Sequence, residues 1–259
     1  MKPIESKYQI ERLKAILERL KNEGRVTVAE LSRLYGVSGV TIRGDLRRLH
    51  DEGKLIKTVG GAIYLEHKTA PGLFDSRNSS MVEEKKRIAE KAAGLVESGQ
   101  VIYLDASVTV MEMIPFILDR TNLTVITNSL EVASNLSILS DHSIIMLGGA
   151  IFKESFATTW AYPEIIAPEV NIGTAFFGAL GFSARTGLTD RNINVIHQKR
   201  YILDKSHRAI ALVDSTKWGR VSFGTFAKPE RINTVISDAG APPEEVAELR
   251  RIGVEVLLA

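Results

Sequence analysis

The sequence contains no cysteine, which excludes a disulfide framework and any thiolate metal site and suits a reducing compartment. Histidine is sparse: His50, His67, His142, His197 and His207 are scattered and form no cluster able to hold a metal or run acid–base chemistry. No apolar run approaches the roughly 20 residues of a membrane span, and the opening "MKPIESKYQIERLK" lacks the apolar core of a signal peptide. A cytoplasmic protein without metal, cofactor or membrane partner is expected. Net charge is also nearly absent, at +2 over 259 residues.

That small value hides an asymmetry. Met1 to Lys68 carries 14 basic and 9 acidic residues, a charge of +5, leaving 19 basic and 22 acidic residues, a charge of −3, for the rest. A small cationic module that faces a polyanion, joined to a larger body, fits this division.

Helical spacing appears at once in "YQIERLKAILERLKNEG", where Ile10, Leu13, Ile16, Leu17 and Leu20 recur every three or four residues before Gly24. Thr27 opens a second helix with Glu30 in capping-box position, and Leu31 and Leu34 are expected to face inward before a stop near Gly36. Ser38 caps a third helix with Ile42, Leu46 and Leu49 on one side and Gly53 as its stop. "KLIKTVGGAIYL" then reads as a two-stranded hairpin turning around Gly60 and Gly61. This is a helix-turn-helix followed by a wing. Ser38, Gly39, Val40, Thr41 and Arg43 can meet base edges, while Arg47, Arg48, Lys54 and Lys57 can neutralise phosphates. Gly44 is the odd residue. With 100° per residue it lies about 200° from Ile42, between Arg47 at about 140° and Arg48 at about 240°.

"RVTVAELSRLYGVSGVTIRGDLRRLHDEGKLIKTVGGA" resembles the DNA-binding module of the DeoR family of bacterial sugar-metabolism regulators, with its Ser-x-x-Thr-Ile-Arg-x-Asp-Leu core and Gly-Gly wing. Ser38, Thr41, Arg43, Asp45 and Leu46 occupy that motif; the resemblance implies Arg43 as a DNA contact and Asp45 as an intramolecular anchor. Gly44 stands where members commonly have a basic residue, and Val59 where a polar residue is usual.

"HKTAPGLFDSRNSS" breaks the periodicity, giving an expected organisation of a DNA-binding domain over 1–66, a linker over 67–82 and an effector-sensing domain over 83–259. From Glu83, short apolar runs alternate with helical stretches: "VIYL", "LTVIT", "SIIML", "TAFFG", "AIALV", "TVIS" and "VEVLL". That alternation predicts an α/β fold, a doubly wound, mostly parallel sheet, with its ligand beyond the carboxyl ends of the strands. Those ends carry Asp105, Ser107 and Thr109; Asn128 and Ser129; Gly148 and Gly149; Gly178; and Asp214, Ser215 and Lys217. A rim of hydroxyls, amides, glycines and one lysine suits a phosphorylated polyol. Each residue alone is also an ordinary turn or cap residue.

"YLDASVT", "ITNSLEVA", "MLGGAIFKES", "FFGALGF…TGLTD" and "ALVDSTKWGRVSF" are similar to successive motifs of the DeoR sensor domain. The resemblance implies an isomerase- and deaminase-like fold that senses a phosphorylated sugar or related metabolite. Lys199 and Arg200 match a Lys-Arg pair of that domain and add Lys199 to the effector candidates. Ser107 and Val108 depart from the usual Gly-hydroxyl pair of the first loop, and "DRNINVIHQKR" carries asparagines where glutamate is usual.

Catalysis needs a positioned acid–base pair. Asp105, Asp190 and Asp214 are candidates, yet Asn192 and Asn194 stand where an acidic base would help. A ligand-responsive repressor of a sugar or sugar-alcohol operon is therefore expected rather than an enzyme. Its expected partners are double-stranded operator DNA, a phosphorylated sugar or sugar alcohol, and a second copy of itself in a dimer or tetramer, since one recognition helix rarely supplies enough affinity. "ESFATTWAYPEIIAP", with Phe156, Trp160, Tyr162, Ile165 and Ile166, offers apolar surface for pairing or for the core.

Overall fold

The computed structural model describes residues 5–51, 54–58, 60–64, 80–160 and 170–259, and the chain divides into two compact units, Met1–Pro71 and Gly72–Ala259. Gly53, Val59, His67, Tyr162, Ile165 and Ile166, together with most of the expected linker, lie outside the described residues.

In the first unit, helix α1 (Glu5–Glu23) leads through Gly24 into strand β1 (Arg25–Thr27). Thr27 caps α2 (Val28–Tyr35) with both halves of the capping box formed, and Gly36 ends it in the left-handed conformation that the sequence asks of glycine there. Helix α3 (Gly39–Asp51) follows. Ile16, Leu20, Leu31, Ile42, Leu46 and Leu49 form its core. Leu34, expected inside, is 53% exposed, because the inward stripe of α2 is Val28, Leu31 and Tyr35 and Leu34 falls beside it.

The wing has three strands rather than two. β2 (Leu55–Thr58) and β3 (Gly61–Tyr64) pair antiparallel with Thr58 opposite Gly61, as the expected hairpin requires. β3 also pairs with β1, which gives the order β1-β3-β2. Gly61 permits that second pairing: a Cβ there would lie 2.0 Å from the Val26 carbonyl oxygen.

The second unit is built on seven parallel strands in the order β15-β14-β12-β9-β4-β5-β6: Glu255–Leu258, Thr234–Ser237, Ser206–Leu212, Ile172–Phe177, Val101–Leu104, Thr124–Thr127 and Ser143–Met146. The fold is the expected α/β doubly wound sheet. Alternation explains the two-sided burial. Ile102, Leu104, Val125, Phe176, Ile210, Leu212 and Ile236 pack on one face with α4 (Val82–Ala93), α5 (Val108–Met111), α6 (Ile114–Ile117) and α7 (Leu130–Leu139). Tyr103, Ile126, Ala175, Phe177, Ala211, Val235 and Val256 pack on the other with α8 (Ile193–Asp204) and α9 (Pro243–Arg251). Two small antiparallel sheets were not legible as periodic runs: β7 (Ala150–Phe152) with β8 (Ala157–Thr159), and β10 (Gly181–Ser183) with β11 (Gly187–Asp190) and β13 (Gly224–Ala227).

The chain proceeds outward from β4 through β5 to β6, then returns to β9 on the other side of β4 and continues outward to β15. The strand order thus reverses between β4 and β9, where a crevice opens at the carboxyl ends of doubly wound sheets.

Candidate functional site

In the first unit, α3 is held from behind. Arg12 of α1 donates from Nε to Asp45 Oδ2 at 2.6 Å and from Nη2 to Oδ1 at 3.2 Å, and Gln9 adds a third bond to Oδ1 at 3.1 Å. Asp45 is buried, which makes it the anchor that the resemblance implies. Ser38 caps α3, accepting from the Thr41 amide at 3.2 Å, and its Oγ lies 2.9 Å from Thr41 Oγ1. On the outward side, Ser38, Val40, Thr41, Arg43, Arg47 and Arg48 are all exposed, Val40 at 74%, and Lys54 and Lys57 are exposed at the wing. Gly44 is exposed amid these arginines, and a Cβ there would meet nothing within 4 Å.

In the second unit a cavity of about 310 Å³ lies at the β4/β9 reversal, lined by the ends of β4, β5, β9, β11 and β12 and by α8. It brings together Asp105, Ser107, Thr109, Asn128, Gly178, Lys199, Asp214 and Lys217 of the sequence candidates. Ser129, Gly148, Gly149 and Ser215 are not among its lining residues. Ser129 caps α7 through the Val132 amide. A Cβ on Gly149 would lie 2.4 Å from the Trp160 ring, and Trp160, itself in the core, packs edge-on against Tyr201 at 6.4 Å. Ser215 donates its amide to Asp238 at 2.6 Å. Ser129, Gly149 and Ser215 thus have cap, packing and backbone roles, as strand-end residues commonly do.

Lys199 organises one side of the cavity. Its Nζ lies 2.9 Å from Asp105 Oδ2 and 3.3 Å from Asp190 Oδ2, donates to the Gly178 carbonyl at 2.9 Å, and sits 4.8 Å from the Phe226 ring centre. Burial opposes its charge, yet Asp105 and then Asp190 outweigh that and raise its pKa above the usual lysine value. Asp105 also accepts from the Gly178 amide at 3.1 Å, and a Cβ on Gly178 would lie 2.2 Å from Ser107 Oγ, so only glycine lets β9 approach the first loop. Asn128 is fixed from three sides, accepting from Tyr103 Oη at 2.9 Å and donating to the Thr158 carbonyl at 3.2 Å and Gln198 Oε1 at 3.4 Å. Burial, and then Asp105, push the Tyr103 hydroxyl well above its usual pKa, so it stays a donor.

Sequence reasoning gave Lys85 no role in this cavity. It lies on α4, three and seven residues before the buried Ile88 and Ala92, where the stripe calls for an apolar residue; a lysine on that stripe was the available signal. Glu154 and Arg191, an ion pair at the rim, were also unforeseen because they join β7 and β11 of the two small sheets. Asn192, which stands where an acidic base would help catalysis, caps α8 by accepting from the amides of Asn194 and Val195, and His197 is exposed. Among the described residues no group of acidic and histidine side chains could hold a metal ion, and no helix is long and apolar enough to cross a membrane.

A winged helix-turn-helix unit, joined in one chain to an α/β unit with a polar cavity at its strand reversal, defines a transcriptional regulator that carries a sensor domain. Residues 12–68 match the DeoR-like helix-turn-helix domain and residues 80–239 the DeoR C terminal sensor domain, and the chain belongs to the DeoR family of transcriptional regulators. It is 34% identical to the HTH-type transcriptional regulator YulB of Bacillus subtilis (strain 168), over 95% of each chain. It is 27% identical to the glycerol-3-phosphate regulon repressor of Escherichia coli (strain K12), over 93% of this chain and 95% of the other. Among solved structures it is similar to ribose 5-phosphate isomerase A of Methanocaldococcus jannaschii, at 21% identity and a TM-score of 0.40, over 54% of this chain and 55% of that one. The curated relatives are regulators, and this chain is a regulator and not an enzyme.

Proposed function

We propose that the protein represses a sugar or sugar-alcohol utilisation operon in the cytoplasm, binding operator DNA through α3 and leaving it when a phosphorylated sugar or sugar alcohol enters the second unit's cavity. Ser38, Val40, Thr41 and Arg43 read base edges, and Arg47, Arg48, Lys54 and Lys57 neutralise phosphates. The protein acts as a dimer or tetramer, so that two recognition helices engage paired half-sites. In the cavity, Asp105, Asn128 and Asp214 meet hydroxyls, Ser107 and Thr109 add donors, and Lys217 draws the phosphate end. Lys199 pairs with Asp105 and holds it in place.

The observation that carries this reading is the cavity itself: lysines, carboxylates, an amide and hydroxyls converge at the strand reversal in a chain whose other unit bears an exposed cationic helix. The name of one relative, a glycerol-3-phosphate regulon repressor, points to the same ligand class. Footprinting upstream of the protein's own operon, together with thermal-shift measurements across pentose, hexose and hexitol phosphates, tests both halves. A protected operator and a selective rise in melting temperature are expected; neither appearing overturns the reading.

A further inference from the structure

Lys85 is 6% exposed, lines the cavity, and donates from Nζ to the carbonyl of Ser80 at 2.7 Å. Its backbone amide donates to the Met81 carbonyl at 2.9 Å. Met81, the residue before α4, has φ 58° and ψ 38°, a left-handed conformation that a β-carbon disfavours, and no side chain caps the helix there. Ser80 itself lines the cavity and directly precedes Met81. One side chain therefore joins the wall of the cavity to the turn that opens α4.

We propose that Lys85 is an anion contact of the effector and that, by bridging the effector's phosphate and the Ser80 carbonyl, it ties occupancy of the cavity to the turn at Ser80 and Met81 that opens α4. The inference rests on the reading that the effector is phosphorylated. An ammonium has three N–H donors, so it can keep the Ser80 carbonyl while it takes a phosphate oxygen, and the charged acceptor makes the stronger bond. Burial lowers the Lys85 pKa, and Asp214 counters it; an anion in the cavity favours the protonated ammonium further. Bound phosphate thus holds the ammonium, the Ser80 carbonyl and the left-handed Met81 together and stabilises the turn that already carries the Lys85–Ser80 bond.

The test uses the full chain and inorganic phosphate as probe, with chloride at matched ionic strength as blank. Lys85→Met is expected to weaken phosphate binding about tenfold or more, the loss of a charge-assisted hydrogen bond. Lys85→Arg retains binding, and Lys86→Met, which removes the same charge from the exposed neighbour, leaves it unchanged. In the unmodified protein, phosphate is expected to slow hydrogen exchange of the amides from Met81 to Lys85, a readout that does not depend on any variant folding. Phosphate binding unaltered in a folded Lys85→Met protein, or exchange at these amides unaffected by bound phosphate, overturns the proposal. If neither phosphate nor any sugar phosphate binds the unmodified protein, the effector reading fails and this inference fails with it.

Discussion

Arg12 and Asp45 meet side-on, with two hydrogen bonds of 2.6 and 3.2 Å between the guanidinium and a carboxylate that is 1% exposed. This pair fixes the rotation of α3 against α1 and so decides which residues of α3 face outward. Asp45→Ala strands a largely buried arginine, and about 3 kcal/mol of loss in the DNA-binding unit is expected. Denaturation of the full chain, followed by a probe in that unit, checks it; a loss below about 1 kcal/mol shows that packing alone sets the helix.

Gly61 sits where the wing's central strand passes β1, and a Cβ there would lie 2.0 Å from the Val26 carbonyl oxygen. Gly61→Ala is expected to part β3 from β1, to cost about 1–3 kcal/mol, and to weaken operator binding while the second unit melts as before. An unshifted transition in the first unit contradicts the three-stranded wing.

Gly44 shows the opposite geometry, with open space around it and arginines on either side. Gly44→Ala is expected to stabilise α3 by about 1 kcal/mol and, if the bare backbone lets the helix lie close in the groove, to weaken specific operator binding. Affinity unchanged or increased in that stabilised variant removes Gly44 from the docking surface.

Lys199 stands between Asp105 and Asp190, and replacing it with methionine leaves two buried carboxylates uncompensated; a loss of about 3–5 kcal/mol is expected. Its pKa is raised in the folded state, so the stability it supplies is full below the unfolded lysine value and is lost as pH rises through the folded one. Melting of the unmodified second unit is therefore expected to fall on the alkaline side of about pH 10.4, and that fall should be absent in Lys199→Met.

Glu131 opens α7 with its pKa raised by burial and then by Glu112, and its Oε2 is buried without a hydrogen-bond partner. Its charge opposes folding wherever the carboxyl must ionise. Glu131→Gln is expected to raise the melting temperature at neutral pH, with the gain vanishing as pH falls below the ordinary glutamate range. A variant less stable than the parent at neutral pH contradicts this account.

The parts that the sequence made legible are those set by local rules. Thr27 with Glu30, Gly36 and Ser38 mark helix ends by local geometry within a few residues, and the continuous apolar runs of β4, β5, β9 and β12 follow from burial on both faces of the sheet. What stayed hidden depends on long-range contact. β1 is three residues long and exists because β3 reaches it, Leu34 faces out because the packed stripe of α2 is Val28, Leu31 and Tyr35, and Lys85 lines the cavity from a helix stripe it shares with the core residues Ile88 and Ala92. Ser129, Gly148, Gly149 and Ser215 lie at strand ends like the cavity residues but are not among its lining residues, and which strand ends meet at the cavity is a property of the assembled sheet.

The central claim is that one chain couples an operator-binding helix to a sugar-phosphate cavity. Fluorescence anisotropy of the full-length protein on DNA from upstream of its own operon, with pentose, hexose and hexitol phosphates added in turn, tests it most directly. The account predicts sequence-specific binding that weakens steeply with salt, is reversed by a subset of the phosphates and not by the parent sugars, and keeps its affinity but loses that reversal in Lys217→Ala. Binding that ignores DNA sequence, or specific binding that no phosphate alters, would contradict it.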